Sequence, residues 1–164
     1  MRVVRANLPF MSCLVNLMRP RVHVELGTHH GASFLAYCQA AKRCALATTA
    51  VAVDCREGDE HAGHYDETVF NQFTSRIKKY SGFAGYIRSN FDDAAHRFEP
   101  KSIDLLHIDG LHAYEAVKHD YETWIDKMSD RGVILFHDIN VHEYAEVQCF
   151  CLENYPVHRR KLNG

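Results

Sequence analysis

The sequence predicts a doubly wound α/β fold, a parallel sheet with helices on both faces. Three observations lead there. Short apolar, strand-like runs alternate with helix-like segments five times along the 164 residues, the pattern left by consecutive right-handed crossovers. The strongest of these runs, residues 102–109 (S-I-D-L-L-H-I-D), is apolar on both faces, as a parallel strand covered from two sides must be. Residues 21–31, R-V-H-V-E-L-G-T-H-H-G, read as a strand running into a glycine loop ahead of a helix. Such a junction sets a ligand at the carboxyl end of a strand, beside the N–H groups of a helix start.

Taken in order, residues 8–18 form a short helix closed by Pro20. The first strand is 22–26, with Val22, Val24 and Leu26 apolar and strand-forming. Gly27 can take a turn that needs positive φ, and Gly31 lets a ligand or neighbouring strand come close. Residues 32–43 are rich in good helix formers. A second buried strand, 50–54 (A-V-A-V-D), ends in an acid. Residues 55–65 are polar and glycine-punctuated, hence a loop. Residues 66–80 are helical, with Val69, Phe70, Phe73 and Ile77 at helical spacing. The third strand is 83–88. A turn at 89–93 leads into a short helix through Phe98, broken by Pro100 and Lys101. The fourth strand, 102–109, is followed by a loop, 110–113. Residues 114–128 form an amphipathic helix with Tyr114, Val117, Tyr121, Trp124, Ile125 and Met128 on one stripe. The fifth strand, 132–136, ends at His137-Asp138, and 143–153 form one more helix. There is no internal repeat or linker, so 1–164 reads as a single domain.

Composition excludes several classes. With 19 basic and 21 acidic residues the net charge is −2, which leaves no basic excess to hold nucleic acid or an anionic membrane. No apolar run reaches membrane-spanning length. Arg2 and Arg5 ahead of the apolar 8–18 imitate a secretory leader, but Asn16 interrupts the run and no small-x-small site follows. A packing helix in a cytoplasmic protein is the expectation. Cys13, Cys38, Cys44, Cys55, Cys149 and Cys151 show no C-x-x-C spacing and read as reduced thiols, not as a disulfide framework or zinc site.

Ligands in such sheets bind beyond the carboxyl ends of the strands. At those ends stand Glu25 and Gly27, then Asp54, then residues 89–92, then Asp109 with Gly110 and His112, and finally His137-Asp138. A helix N-cap accounts for Asp92 or Asp93; no cap accounts for Asp54, Asp109 and Asp138 together. The loop lacks both the dinucleotide fingerprint and the Gly-Lys-Ser/Thr of a phosphate loop, which disfavours a nicotinamide oxidoreductase.

On these residues the chain resembles a class I S-adenosylmethionine-dependent methyltransferase over about residues 20–141. More narrowly it is similar to bacterial methyltransferase domains of the "methyltransferase 24" type, found alone or alongside or fused to glycosyltransferases in polysaccharide loci. The matching blocks are V-E-L-G-T-H-H-G-A-S (24–33), G-D-E-H-A-G-H-Y (58–65), I-R-S-N-F-D-D-A (87–94), the stretch from S-I-D-L-L-H-I-D-G-L-H to K-H-D (102–120), and R-G-V-I-L-F-H-D (131–138). The resemblance implies a Rossmann-like sheet of order 3-2-1-4-5, S-adenosylmethionine as cofactor, and O-methylation of a saccharide or other small hydroxyl compound. It sets Glu25, Gly27, Thr28, His29 and Gly31 against the amino acid end of the cofactor, Asp54 on the ribose hydroxyls, and Ser89, Phe91 and Asp92 beside the adenine, with Asp109 also bordering the cofactor. A carboxylate can accept both ribose hydroxyls.

Methyl transfer to oxygen is an in-line displacement; the acceptor must be held close and lose its proton. The catalytic candidates are His112, Asp109 and His137. Two routes remain open. One is a histidine base, with His112 and His137 best placed; His107, inside a buried strand, reads as packed and hydrogen-bonded. The other is magnesium, which related catechol-type enzymes hold with acids after the fourth and fifth strands, where Asp109 and Asp138 stand; Ile139 takes the place of the usual further ligand. The resemblance makes residues 58–65 a lid. It ends near Val141, so a C-terminally shortened domain without the usual final strand pair is expected. Its fifth strand would need cover from the tail or from a homodimer partner. The alternative function is a catalytically impaired remnant that binds only cofactor or a protein partner.

Overall fold

The computed structural model describes residues 4–55, 58–59, 63–64 and 66–137. The expected final helix, the shortened C-terminus, Asp138, Cys149 and Cys151 lie outside the described residues, as do residues 60–62 and 65 of the expected lid.

Five strands form one parallel sheet: β1 Val22–Leu26, β2 Thr49–Asp54, β3 Ala84–Arg88, β4 Ile103–Ile108 and β5 Met128–Phe136. Their spatial order is β3-β2-β1-β4-β5, the 3-2-1-4-5 order of the Rossmann-like expectation. The helices are α1 Val4–Met18, α2 Ala32–Arg43, α3 Glu67–Ile77, α4 Phe91–Ala95 and α5 Tyr114–Trp124. In the 55–65 stretch, expected to be a loop, Gly58–Asp59 pairs antiparallel with Gly63–His64 in a short hairpin.

Strand periodicity explains the two cores. On β1, Val24 and Leu26 join Val53, Leu106, Ile108 and Trp124 on one face of the sheet. On the other face Ala50, Ala52 and Leu105 lie under Phe34 and Tyr37 of α2 and Phe73 of α3. The leader-like segment is the packing helix: Met11 and Val15 of α1 are buried in this second core. No described helix is long and apolar enough to cross a membrane.

Several boundaries differ from the sequence expectation: α1 starts at Val4, four residues early, α4 ends at Ala95, short of Phe98, and the end of α5 and the start of β5 both move. The last long helix stops at Trp124, passes through a 3-10 turn at Ile125–Lys127, and gives way to β5 at Met128, four residues before the expected start. The cause lies at the amino end of β4. Asp104, fully buried, accepts hydrogen bonds from the Arg21 backbone N–H at 2.8 Å, Arg21 Nε at 3.2 Å and Ser129 Oγ at 2.7 Å, with Arg131 Nε at 3.3 Å. These contacts tie residues 129–131 to the sheet. Arg131 Nη2 in turn donates to the carbonyls of Met18 and Arg19, each at 3.0 Å.

Candidate active site

The site is built at the opposite, carboxyl ends of the strands, where the ladder runs one residue further than the strands themselves. Gly27 N–H donates to Val53 O at 3.0 Å, Ser89 N–H to Asp54 O at 3.3 Å, Asp109 N–H to Leu26 O at 2.9 Å, and His137 N–H to Ile108 O at 3.1 Å. Five expected site positions are thereby fixed side by side by backbone bonds, which no exposed loop could do.

The glycine loop turns sharply. Gly27 (φ 80°), His29 (φ 46°) and Gly31 (φ 77°) all adopt left-handed backbone, and Gly31 N–H closes the turn on Thr28 O at 2.6 Å. A Cβ on Gly27 would overlap the Asp109 carbonyl oxygen, and one on Gly31 would overlap the Phe73 ring. Asp54, buried at the end of β2, accepts the N–H groups of Thr28 at 2.9 Å and His29 at 2.8 Å on Oδ2. It therefore holds the loop in shape, a role its position in sequence did not reveal. Thr28 is buried and His29 exposed.

Glu25, expected beside the cofactor, is fully buried. Its Oε2 meets His107 Nδ1 on the neighbouring strand at 2.9 Å, through the register that sets Glu25 against His107. Burial pushes the Glu25 carboxyl upward, while the hydrogen bond and charge of His107 pull it back. His107 is thus hydrogen-bonded inside the sheet. Also inside, His23 stacks on Tyr37 with ring centroids 3.9 Å apart. Burial and then the charge of His107 lower its pKa to about 3, so it is neutral at physiological pH.

Asp109, His112 and His137 converge. Asp109 Oδ1 lies 3.1 Å from His137 Nδ1 and 3.5 Å from His112 Nε2. All three side chains are partly buried, 15–19% exposed. The His107 ring lies edge-on to His137, centroids 5.6 Å apart. The structure therefore groups the three expected catalytic residues at one point, with the glycine loop touching Asp109 through its backbone.

Comparison with known proteins gives this arrangement a family. The profile of the methyltransferase domain, type 24, matches residues 24–139. The chain belongs to the methyltransferase-domain family. It is 46% identical over 137 residues to the uncharacterized protein y4gI of Sinorhizobium fredii, an alignment that takes in 84% of this chain but 15% of that much longer protein. Its fold is that of solved methyltransferases. The Podospora anserina methyltransferase PaMTH1, solved with S-adenosylhomocysteine, superposes with a TM-score of 0.68 at 17% identity, covering 93% of this chain and 70% of that one. An O-methyltransferase from Bacillus cereus, also in complex with S-adenosylhomocysteine, gives 0.64 at 16% identity, covering 92% and 70%.

In this methyltransferase domain the expected adenine border is more spread out. Ser89 is partly buried, and Phe91 packs over Gly110, whose Cβ position is 2.7 Å from the ring. Asp92 is exposed and accepts from His119 Nε2 at 2.9 Å, an exposed pair of small energetic value.

One residue of the methyltransferase domain escaped the sequence reading. Asp120 is buried on the Val117–Asp120–Trp124 face of α5, with Oδ2 beside Gly110. The i, i+3, i+7 spacing with Val117 and Trp124 was the available signal. Burial raises its pKa to about 7; His119 opposes that shift and Asp92 adds to it. Because the folded value lies above the ordinary 3.8, its stabilising contribution is present below that value and is lost as pH rises through 7. Asp120→Asn should therefore stabilise the fold at pH 8 by on the order of 1–3 kcal/mol and change little at pH 4. Urea unfolding of both proteins across that range checks this; a gap that does not vary with pH would refute it.

Proposed function

We propose that this domain transfers a methyl group from S-adenosylmethionine to a hydroxyl oxygen of a small acceptor, most suitably a saccharide. The single observation that carries the reading is the junction of two features at adjacent strand ends. A positive-φ glycine loop with no room for a Cβ abuts an Asp109–His112–His137 cluster. The loop fits the cofactor because its glycines leave a cradle that any side chain would fill, and it follows a strand end in the manner of nucleoside-binding α/β sheets. The relatives solved with S-adenosylhomocysteine support the same choice of cofactor. The saccharide class rests on the resemblance to methyltransferase domains found alongside or fused to glycosyltransferases.

S-adenosylmethionine supplies an electrophilic methyl on a cationic sulfur. The residues of the chain do the rest. The glycine loop, held by Asp54, would position the amino acid end, Ser89, Phe91 and Asp92 would border the adenine, and Asp54 would also take a ribose hydroxyl. At the acceptor end an imidazole, His112 in the first place, would take up the proton of the acceptor hydroxyl, so that the oxygen could receive the methyl group the cofactor supplies. Asp109 orients the ring and stabilises the imidazolium, with His137 on its other side. Magnesium does not fit the described donors: one carboxylate and two imidazole nitrogens contrast with its demand for oxygen ligands.

Calorimetric titration with S-adenosylhomocysteine should give micromolar binding, about −8 kcal/mol; no binding by a folded sample would overturn the proposal. Against a panel of hydroxyl acceptors, His112→Ala should lower turnover roughly 100-fold with S-adenosylhomocysteine affinity kept. Unchanged turnover would remove His112 from the mechanism. Cofactor binding with no methylation by the parent protein would favour the non-catalytic alternative.

A further inference from the structure

We infer that the groove between the end of α2 and the start of β3 is a docking surface for an acidic protein segment that carries one apolar side chain. The groove lies at the amino ends of the strands, where Ala50 N–H donates to Phe83 O at 2.8 Å. The candidate active site stands at the carboxyl ends, so the groove's chemistry does not depend on what that site does.

Charge is segregated along the sequence. Acids outnumber bases in the whole chain, 21 to 19. Residues 27–53 and 68–91 nevertheless contain no acid, and they hold six bases: Lys42, Arg43, Arg76, Lys78, Lys79 and Arg88. The fold sets four of these around one edge of the sheet. Lys42 and Arg43 end α2, and Lys78 and Lys79 lie in the 3-10 turn Lys78–Tyr80 that follows α3. All four are exposed, and among the described residues none of them pairs with a carboxylate.

The two lysines nearest the groove share a ring. Lys79 Nζ is 5.0 Å and Lys42 Nζ 5.9 Å from the centroid of Tyr80. A helix end favours basic side chains, which accounts for Lys42 and Arg43; one 3-10 turn supplies little of that attraction to Lys79. Two ammonium groups held beside one ring repel each other, and a carboxylate brought by a partner offsets that repulsion.

Leu46, Tyr80 and Phe83 line a cavity of about 340 Å³ beside these lysines. It is an open recess, which suits a segment laid across the surface better than a small molecule that needs enclosure. Its apolar groups are sunk: Tyr80 is buried, and Leu46 and Phe83 are half-buried. A membrane-binding face projects its apolar side chains into the lipid, and a face for single-stranded nucleic acid presents aromatic rings for bases to stack on. A recess rimmed by cations instead receives an apolar side chain from a partner whose neighbouring residues are acidic.

The test uses the full chain and a fluorescein-labelled peptide with three glutamates on each side of one leucine, followed by anisotropy. Saturable binding is expected, weakened roughly tenfold between about 0.05 and 0.5 M salt. Lys42→Glu combined with Lys79→Glu should weaken it by about tenfold or more, and serine in place of the peptide's leucine by about fivefold or more. Circular dichroism checks folding. Should the double charge reversal not fold, Lys42→Gln and Lys79→Gln should each weaken binding roughly threefold. S-adenosylhomocysteine should not displace the peptide. No saturable binding to folded protein, binding indifferent to the lysine substitutions, equal binding of the serine peptide, or displacement by S-adenosylhomocysteine would each overturn the inference. So would tighter binding of the chain to phosphatidylserine vesicles than to the peptide, which would assign the face to a membrane.

Discussion

Gly27→Ala should lower stability by about 3–5 kcal/mol and weaken S-adenosylhomocysteine binding at least 100-fold. Two costs combine. The residue sits at φ 80°, where a Cβ alone costs roughly 1–2 kcal/mol. The added methyl would also overlap the Asp109 carbonyl oxygen, at 2.6 Å from its carbon and 3.0 Å from Gly110 Cα. All three are backbone atoms, so no rotamer change relieves the clash. The ends of β1 and β4 must part, and the 2.9 Å bond from Asp109 N–H to Leu26 O is lost with them, a further ~1 kcal/mol. The same movement carries Asp109 away from the loop, so the loop and the Asp109–His112–His137 cluster lose register together. Gly82→Ala is the control, since a Cβ there meets nothing within 4 Å. Urea midpoints and calorimetry of both variants decide the matter. Parent-like affinity in Gly27→Ala would mean that the loop is only a connection between strand and helix.

How much of this was legible follows from the range of each interaction. The sheet was readable because alternation and two-sided apolar strands are local patterns: β1 and α2 fall at their expected residues. The candidate site was readable in part for the same reason. Acids and histidines follow strand ends in D-G-L-H and F-H-D, and parallel order alone brings those ends together. That His112 and His137 share one oxygen of Asp109 depends on the β4–β5 register, which no local pattern encodes. Glu25 shows the limit most clearly. Its place before Gly27 marks it as a ligand-facing acid, yet the period of two on β1 turns it inward onto His107. Asp54 was recognisable as important, but the loop N–H groups it binds, 25 and 26 residues earlier in the chain, were not. The early start of β5 was hidden similarly. Met128 reads as the end of the helix, and the Asp104 that recruits the first residues of the strand lies 25 residues from Ser129.

Asp104→Ala should be the most damaging substitution away from the site, costing about 3–5 kcal/mol, a large part of the 5–15 kcal/mol typical of a domain. The arginine partners are not the main reason. Arg21 and Arg131 side chains are 70% and 51% exposed, and pairs with such groups are weakened by solvent. The carboxylate itself is fully buried. Burial alone would raise its pKa, but the Ser129 hydroxyl, the Arg21 N–H and guanidinium, and the charge of Arg131 outweigh that and hold it at about 2. Removing it strands the Arg21 N–H and Ser129 hydroxyl without their acceptor and frees residues 129–131 from the sheet, fraying the edge strand that carries His137. The sign of the pH dependence follows. A folded pKa below the ordinary 3.8 gives stability that is present above that value and lost as pH falls towards 2. The difference between parent and Asp104→Ala, measured by urea unfolding, should thus be full at pH 6 and shrink below pH 4. Cofactor affinity per folded molecule should hardly change, because Gly27 and Asp54 lie at the far end of the sheet. A variant within 1 kcal/mol of the parent would show instead that β5 is anchored by its ladder with β4 alone.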